Sequence, residues 1–532
     1  MATDGARPVL QEGVPDTSRA ARAWAWLGRH RFALAMVVAF VYVVPYFPRI
    51  HSANELPRVY LTQAMVHDGT FAIDRGVARW GTTADVSPHA GHHYSNKAPG
   101  SSMLAVPAYL VLTGVTHAVA GREPTLGEMT WAFRLWTGIV PTLLFLWLLA
   151  GFLPRFALSP AARRLVLVGY GLGSMAFVYS VLFIAHQLSA VAIGTAWILT
   201  VRVLDDGKRD RWMLAAGFAA GCAPLVDYQA LFAALPIAAW ATVRLLQTRR
   251  GWKPIAWAIV GAAVPIAILL LYHRACFGSP WKTGYDASET FAFHHQKGFL
   301  GLDKLRWEAF TGSTVAGDNG LIVFMPAFLL ALPGWAILWR RGHRGHAAVS
   351  AAIAVMYLAF ISALNFWRGG WQFGPRYITV MLPFVVPAIA ATLDWLDGRR
   401  WWRAIGWGAV AAGVAIYAIG VATFPHYPEK FKNPLYEVSF RLLGDGLAAP
   451  NLGAALGLGR VVSVVPWFAL IAGLWLAAAL GDAWRARWRD AALAVALAAL
   501  LIVGYRAYPG GGKVADDAYV KFVRPTVAVA PR

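Results

Sequence analysis

Apolar blocks of roughly 17–22 residues recur along the whole chain, each long enough to cross about 30 Å of hydrocarbon as a helix. That spacing dictates an all-α polytopic membrane protein. Composition removes the soluble alternative. Of 532 residues, 58% are hydrophobic and 14% charged, where an aqueous domain carries about 25% charge. The mean hydropathy is +0.50.

A net charge of +21 raises the question of nucleic acid, which the distribution of the charge answers. Arginines and lysines gather in short turns between apolar blocks, at Arg155/Arg163/Arg164, Lys208/Arg209/Arg211, Arg249/Arg250/Lys253, Arg340/Arg341/Arg344, Arg399/Arg400/Arg403 and Arg485/Arg487/Arg489. Basic turns mark the cytoplasmic side and face anionic lipid. The bilayer is the expected partner, not nucleic acid. The N-terminus lacks the short apolar core and small-residue cleavage site of a signal peptide, so the first block is expected to be a retained span. Two cysteines, Cys222 and Cys276, make no disulfide framework.

Placing every basic turn inside predicts about thirteen transmembrane helices, N-terminus in and C-terminus out. The expected organisation is a cytoplasmic segment 1–30, one transmembrane domain 31–507 and an exoplasmic tail 508–532. The outer loops are 49–130, 274–320, 364–377 and 424–460. Residues 101–119 break the alternation and read as a re-entrant or interfacial helix within the large first loop. The block 212–246 is too long for one crossing at 1.5 Å per residue and reads as a hairpin broken near Pro224, with Asp227 at its tip. Loops of any size lie only outside, so function is expected there.

Two outer stretches concentrate chemistry. In the first loop, Glu55, Arg58, Asp74, Asp85, His92, His93, Tyr94 and Lys97 lie within 45 residues of each other by number, carboxylates among cations, as proton and phosphate work requires. Ser52-x-x-Glu55 also has the spacing of a capping box, in which Glu55 only ties off a helix start. Lys97 sits in a Pro-Gly turn that fixes its direction; its structural alternative is snorkelling at the membrane surface. The second stretch, NFWRGGWQFGPRYI at 365–378, interleaves Trp367, Trp371, Phe373 and Tyr377 with Arg368 and Arg376. Two guanidiniums grip a phosphate bidentately, aromatic faces stack on a sugar or isoprenoid, and three glycines let backbone approach a ligand. An interfacial aromatic belt is the alternative, but a belt does not call for those glycines.

Elsewhere, His186 reads as a solvated histidine on an outer turn, and Asp227 as facing water. His92–His93 and His294–His295 invite a metal, yet adjacent histidines point apart and no HExxH or CxxC spacing supports one. No cofactor is expected, and no metal site is assigned. The glycine patterns GYGLG at 169–173 and GFAAG at 217–221 lie within apolar blocks and read as helix-packing positions. No GxxxxGK[ST], strand–GxGxxG–helix or outer DxD is present, which argues against a nucleotide-activated donor.

The run Asn54-Glu55-x-x-Arg58-x-Tyr60, a Gly-x-Phe turn, and then Tyr94-Ser95-Asn96-Lys97-Ala98-Pro99 resembles the GT-C class of integral-membrane glycosyltransferases. Within it the chain is similar to the protein O-mannosyltransferase and lipid A aminoarabinose transferase group. The likeness covers roughly 52–110 and, more loosely, 365–384. It agrees with a polyprenyl-phosphate sugar donor, which an outer site fed from the membrane calls for, and with transfer to a hydroxyl acceptor (glycan, lipid or protein) on the exterior face of the cell membrane; the mechanism expected is an inverting single displacement. By the same resemblance the loop's acidic residue, Glu55, is the catalytic base and Lys97 contacts donor phosphate; the residues themselves add Arg58, Arg368 and Arg376 as further phosphate-binding groups. His92, His93, Tyr94, Trp367, Trp371 and Tyr377 are the sugar or lipid contacts. The chain has Asn54-Glu55 where relatives have Asp-Glu, which keeps Asp74 and Asp85 open as the base, and Asn96-Lys97-Ala98-Pro99 where they have Glu-Lys-Pro-Pro. The competing readings are a transporter or flippase of a lipid-linked saccharide, with ionisable groups at the membrane midplane, and a non-catalytic envelope-assembly protein.

Overall fold

A computed structural model describes residues 19–45, 52–288, 290, 293, 297–298 and 301–529, with side chains from residue 30 onward. His294 and His295 lie outside the described residues. The chain is helical nearly throughout; among the described residues the one sheet is a two-stranded hairpin. Among the described residues nine stretches are long and apolar enough to cross a membrane, with three shorter apolar helices beside them. Exposed Val119, Trp147, Leu235, Leu271 and Leu500 face outward, the surface that a polytopic protein turns to lipid.

The first helix, α1 (Arg19–Tyr42), leads into the large loop. There α2 (Leu56–His67) and α3 (Asp74–Trp80) precede strands β1 (Val86–His89) and β2 (His92–Ser95). Gly69 adopts φ +62 just past α2, the left-handed conformation that ends a helix. The stretch read as interfacial is a continuous helix, α4 (Gly100–Ala120), long enough to cross. It runs beside the loop helices along its whole length, through Thr62 to Ser102, His67 to Tyr109, and Arg75 and Arg79 to Glu123 just beyond its end.

The bundle follows: α5 (Leu126–Arg155), α6 (Pro160–Leu172), α7 (Met175–Ser180), α8 (Ala185–Leu204), α9 (Trp212–Val226), α10 (Tyr228–Thr248) and α11 (Lys253–Phe277). The long 212–246 block does break, and Asp227 is the residue between its two helices. After α12 (Trp307–Thr314) come α13 (Pro326–Arg340), α14 (Arg344–Ala363), α15 (Arg376–Asp397), α16 (Arg400–Thr423), α17 (Val465–Leu480) and α18 (Trp484–Gly504). Two short helices, α19 (Gly512–Ala518) and α20 (Arg524–Ala528), complete the tail.

The small residues act as the sequence implies. A Cβ on Gly217 would lie 1.9 Å from the Ala258 carbonyl oxygen, and one on Gly261 would lie 2.0 Å from that of Leu214. The α9 and α11 backbones therefore touch directly, as small-residue membrane interfaces do. Gly169 and Gly173 likewise meet Val410 and Val414 of α16.

Polar residues collect at two ends. At one end the basic turns meet each other: Arg155 with Asp205 and Asp206, Arg244 with Asp205, Arg341 with Asp394, and Arg403 with Asp490. At the other end the long loops meet. Asp303 and Asn365 bond between 301–306 and 362–365, Gln372 bridges to Tyr427, and Trp371 packs on Phe522 of the tail. Replacing Gly217 by Leu forces the two backbones apart and should cost about 1–3 kcal/mol or more, read as a lower thermal midpoint in detergent. Gly114→Leu, where nothing lies within 4 Å of the added Cβ, should leave the midpoint in place.

Candidate active site

The hairpin and its following turn aim the lysine. Val86 pairs with Ser95 and His89 with His92, and the chain then turns through Asn96 and Lys97 to Pro99, which caps α4. The 283–287 segment presses on this turn: Ser87 Oγ donates to the Gly284 carbonyl at 2.6 Å, and a Cβ on Gly284 would lie 2.4 Å from Asn96 Cα. Tyr285 is thereby set against the lysine, whose Nζ lies 5.2 Å from the ring centroid.

Together these segments wall a cavity of about 260 Å³ at the loop end of the molecule. Asp85, Lys97, Tyr285, Trp371, Arg376 and Tyr377 line it, with Asn54 and the backbone of Gly369 and Gly370. Lys97 Nζ lies 2.9 Å from Asp85 Oδ1, and both side chains are buried. Gly369 takes φ +69, and a Cβ there would stand 3.0 Å from Arg376 Nε and 2.9 Å from the Tyr377 ring. Only glycine leaves both groups open to the cavity. Arg58 lies behind the wall, its Nη1 donating to the Asn54 carbonyl at 2.6 Å and to Asn54 Oδ1 at 2.5 Å.

Burial lowers the Lys97 ammonium from its ordinary value; Asp85 opposes that shift, while the Arg58 charge adds to it. Burial likewise lowers Arg58, partly offset by Tyr285, Asp85 and Asp227. Among the described residues, Arg58 Nε and Arg376 Nε are buried without a hydrogen-bond partner. Among the described residues three buried cations meet one carboxylate of the cavity wall, Asp85, with Asp227 acting on Arg58 from behind, and this excess of positive charge favours an anion.

The loop's other candidates do not line the cavity. Glu55 is fully buried, with both carboxylate oxygens 2.8 Å from Arg134 (Nε to Oε1, Nη2 to Oε2) and the Phe183 amide donating at 2.8 Å. His426 Nε2 stands 3.8 Å away. Burial would raise this carboxyl, but Arg134, His426 and the amide hold it below its ordinary range. Glu55 is the N-cap residue of α2, but its side chain makes no capping bond, so the capping box does not form. Asp74 is bonded to His92 Nδ1 at 2.8 Å and His93 Nδ1 at 2.7 Å on the exposed side of the hairpin. Tyr94 packs on Phe277. Arg368 pairs with Asp318 and lies over Trp367, outside the cavity. Of the residues assigned to the site, Asp85, Lys97, Arg376, Trp371 and Tyr377 come together, with Arg58 directly behind.

Other residues there escaped the sequence reading. Arg134 sits on a π-helical turn, 134–139, inside α5, an irregularity common at functional positions; a lone arginine within an apolar block was its signal. His186 is buried, not solvated, and Asp227 is half-buried against it. They bond at 2.7 Å (Nδ1 to Oδ2), Gln229 donates to the same oxygen, and the His186 ring stands edge-on to Tyr377. Tyr285 had no local signal.

No protein-family model matches the sequence, and no curated protein matches it. Among solved structures the chain is similar to ArnT from Cupriavidus metallidurans in the apo state, at TM-score 0.49 and 17% identity, over 91% of this chain and 78% of that one. It is also similar to that protein bound to undecaprenyl phosphate, at TM-score 0.48 and 17% identity, over 95% and 79%.

Glu55→Gln should act on stability first. Removing one partner of a buried ion pair costs about 3–5 kcal/mol, seen as a lower thermal midpoint. Because the folded carboxyl lies below its ordinary 4.5, the wild-type contribution is complete above that pH and is lost as pH falls through the folded value. The variant should lack this acid-side slope.

Proposed function

We propose that the protein is a membrane glycosyltransferase that moves a sugar from a polyprenyl-phosphate donor to a hydroxyl acceptor, with its active site on the exoplasmic face. The observation that carries the reading is the buried excess of positive charge from Arg58, Lys97 and Arg376 around Asp85, at the loop end of a helical membrane protein. A phosphate on a lipid anchor is the ligand that such a place can hold: its tail stays in hydrocarbon and its charged head reaches the cations. The reading keeps the N-terminus inside and the C-terminus outside, with the loops 49–130, 274–320, 364–377 and 424–460 on the exoplasmic side.

Asp85 takes the role of base from Glu55, whose oxygens are committed to Arg134. In the resting site Lys97 holds Asp85. Donor phosphate competes for Lys97 and draws it away, which frees a carboxylate oxygen beside the sugar. Asp85 then accepts the proton of the acceptor hydroxyl as its oxygen attacks the anomeric carbon from the face opposite the phosphate. The carbon–oxygen bond to phosphate breaks with inversion, and Lys97 and Arg376 stabilise the departing polyprenyl phosphate. Trp371 and Tyr377 offer faces to the sugar or the first isoprene units. His92, His93, Tyr94, Trp367 and Arg368 support the loops that form the walls.

Asp85→Asn should lower kcat for transfer from a polyprenyl-phosphate sugar by roughly 10²–10⁴-fold, the range for loss of a general base, while the protein elutes and melts as a folded species. Wild-type turnover by this variant would remove Asp85 from the role. Lys97→Ala should raise the donor KM as well as lower kcat; a change confined to kcat would remove Lys97 from donor binding.

A further inference from the structure

Transfer needs a place for the acceptor, and the first cavity does not supply one. At about 260 Å³ it falls below the range of about 300–1,000 Å³ typical of a site for one small molecule, and phosphate with its sugar claims that space. A larger cavity, of about 600 Å³, lies beside it at the same end of the bundle. Trp371 is the wall they share. Lys97, Arg376 and Tyr377 border the smaller cavity alone, so the cations belong to one side of the indole and the larger space to the other. Inversion calls for that order, because the acceptor hydroxyl must reach the sugar from the face away from phosphate.

The tail builds the far wall, and it is tied down. Gly511 N donates to Glu437 Oε1 at 2.5 Å, Arg441 pairs with Asp516 at 2.6 Å, and Tyr519 and Arg524 reach Asp445 Oδ2 at 2.8 and 3.0 Å. Asp516 is committed to that anchorage, whereas its neighbour Asp517 lines the cavity. Phe522, on the π-helical turn 519–523, meets Trp371 at 4.9 Å between ring centroids and at 66°, so two aromatic rings form a corner. Polar groups surround it: Glu429 and Lys430 from the loop after α16, and Asp517 and Lys521 from the tail, all exposed. Lys521 Nζ stands 3.7 Å from Asp517.

This mixture selects a class of ligand. Indole and phenyl faces take up the apolar face of a sugar ring, while carboxylates accept from its hydroxyls and ammoniums donate to them. Among the described residues two carboxylates and two ammoniums line the space, so its charge is balanced, unlike that of the first cavity. A phosphorylated acceptor finds no surplus of cations here. An extended polypeptide is gripped through an open strand edge, and among the described residues no strand lines the cavity. We infer, on the basis of the transfer reading above, that this cavity is the acceptor site and takes a neutral saccharide. Its ring stacks in the Trp371–Phe522 corner, and its hydroxyl passes Trp371 to reach the donor. The bonds are those of the displacement already described: the acceptor oxygen joins the anomeric carbon, its proton passes to Asp85, and polyprenyl phosphate leaves.

The test uses the full-length protein in detergent and ligand-observed NMR titrations. The probes are neutral trisaccharides of glucose, mannose, galactose and N-acetylglucosamine, each beside its phosphate monoester, and a peptide rich in serine and threonine. Ala518 lines the cavity from α19, and Ala518→Trp fills it. Binding of at least one neutral trisaccharide, weakened roughly tenfold by Ala518→Trp, supports the inference. No trisaccharide bound, binding unchanged by the variant, or a preference for ester or peptide that the variant abolishes, overturns it. Val514→Trp, at an exposed lining position, is read in the same way if Ala518→Trp disturbs elution. Retention of polyprenyl phosphate by the same samples separates the two readings. A wild type that binds saccharide but not the lipid keeps the saccharide site and removes the transferase; one that binds the lipid and no saccharide keeps the transferase and removes the site.

Discussion

Charge cannot stay in hydrocarbon uncompensated, and this constraint arranges the molecule. With 14% charged residues in a 532-residue chain, the ionisable groups among the described residues gather in a polar layer at either end of the bundle or are buried against a partner. Glu55 with Arg134 and His186 with Asp227 are partners of the second kind, and both stand beside the loop-end cavity. They act as pins. The first ties α2 to α5 and to the Phe183 amide; the second ties the start of α8 to the break between α9 and α10.

Those pins give the cavity its fixed walls. Lys97 and Asp85 come from the hairpin of the first loop, Tyr285 from the segment after α11, and Trp371, Arg376 and Tyr377 from the glycine-rich stretch before α15. Residues almost 300 positions apart can only be held to a few ångströms where rigid elements carry them. The tail contributes too: α19 and α20 fold back so that Phe522 packs on Trp371 at 4.9 Å. The cavity thus has a balanced, buried frame and an unbalanced lining. That difference between frame and lining separates the structural ion pairs from the ones available for a ligand.

Much of this could be read from the residues. Apolar block length gave the helical membrane class, and Gly217, Gly169 and Gly173 were legible as packing positions because small residues at short spacing have one main use between membrane helices. The break at Asp227 followed from the length of its block. Lys97, Arg376, Trp371 and Tyr377 were found because cations and aromatics at a loop–membrane boundary are rare enough to notice. The choice among carboxylates was not legible. Glu55, Asp74 and Asp85 share one loop, and their fates depend on partners distant in sequence: Arg134 takes Glu55, whereas Asp85 is left to Lys97. Arg368 and Arg376 looked equivalent, and only the position of Asp318 separates them. His186 and Asp227, 41 positions apart, paired for the same reason, since local pattern cannot report which buried group meets which.

The account rests on one claim, that the loop-end cavity holds the phosphate of a membrane lipid. Its most direct test is the mass spectrum of lipid that remains with the gently extracted wild-type protein, set beside that of a Lys97→Ala, Arg376→Ala double variant. The account predicts a polyprenyl phosphate or its glycoside on the wild type and its loss from the variant. A wild type that carries none after being supplied with that lipid, or a variant that retains it equally, would contradict the account.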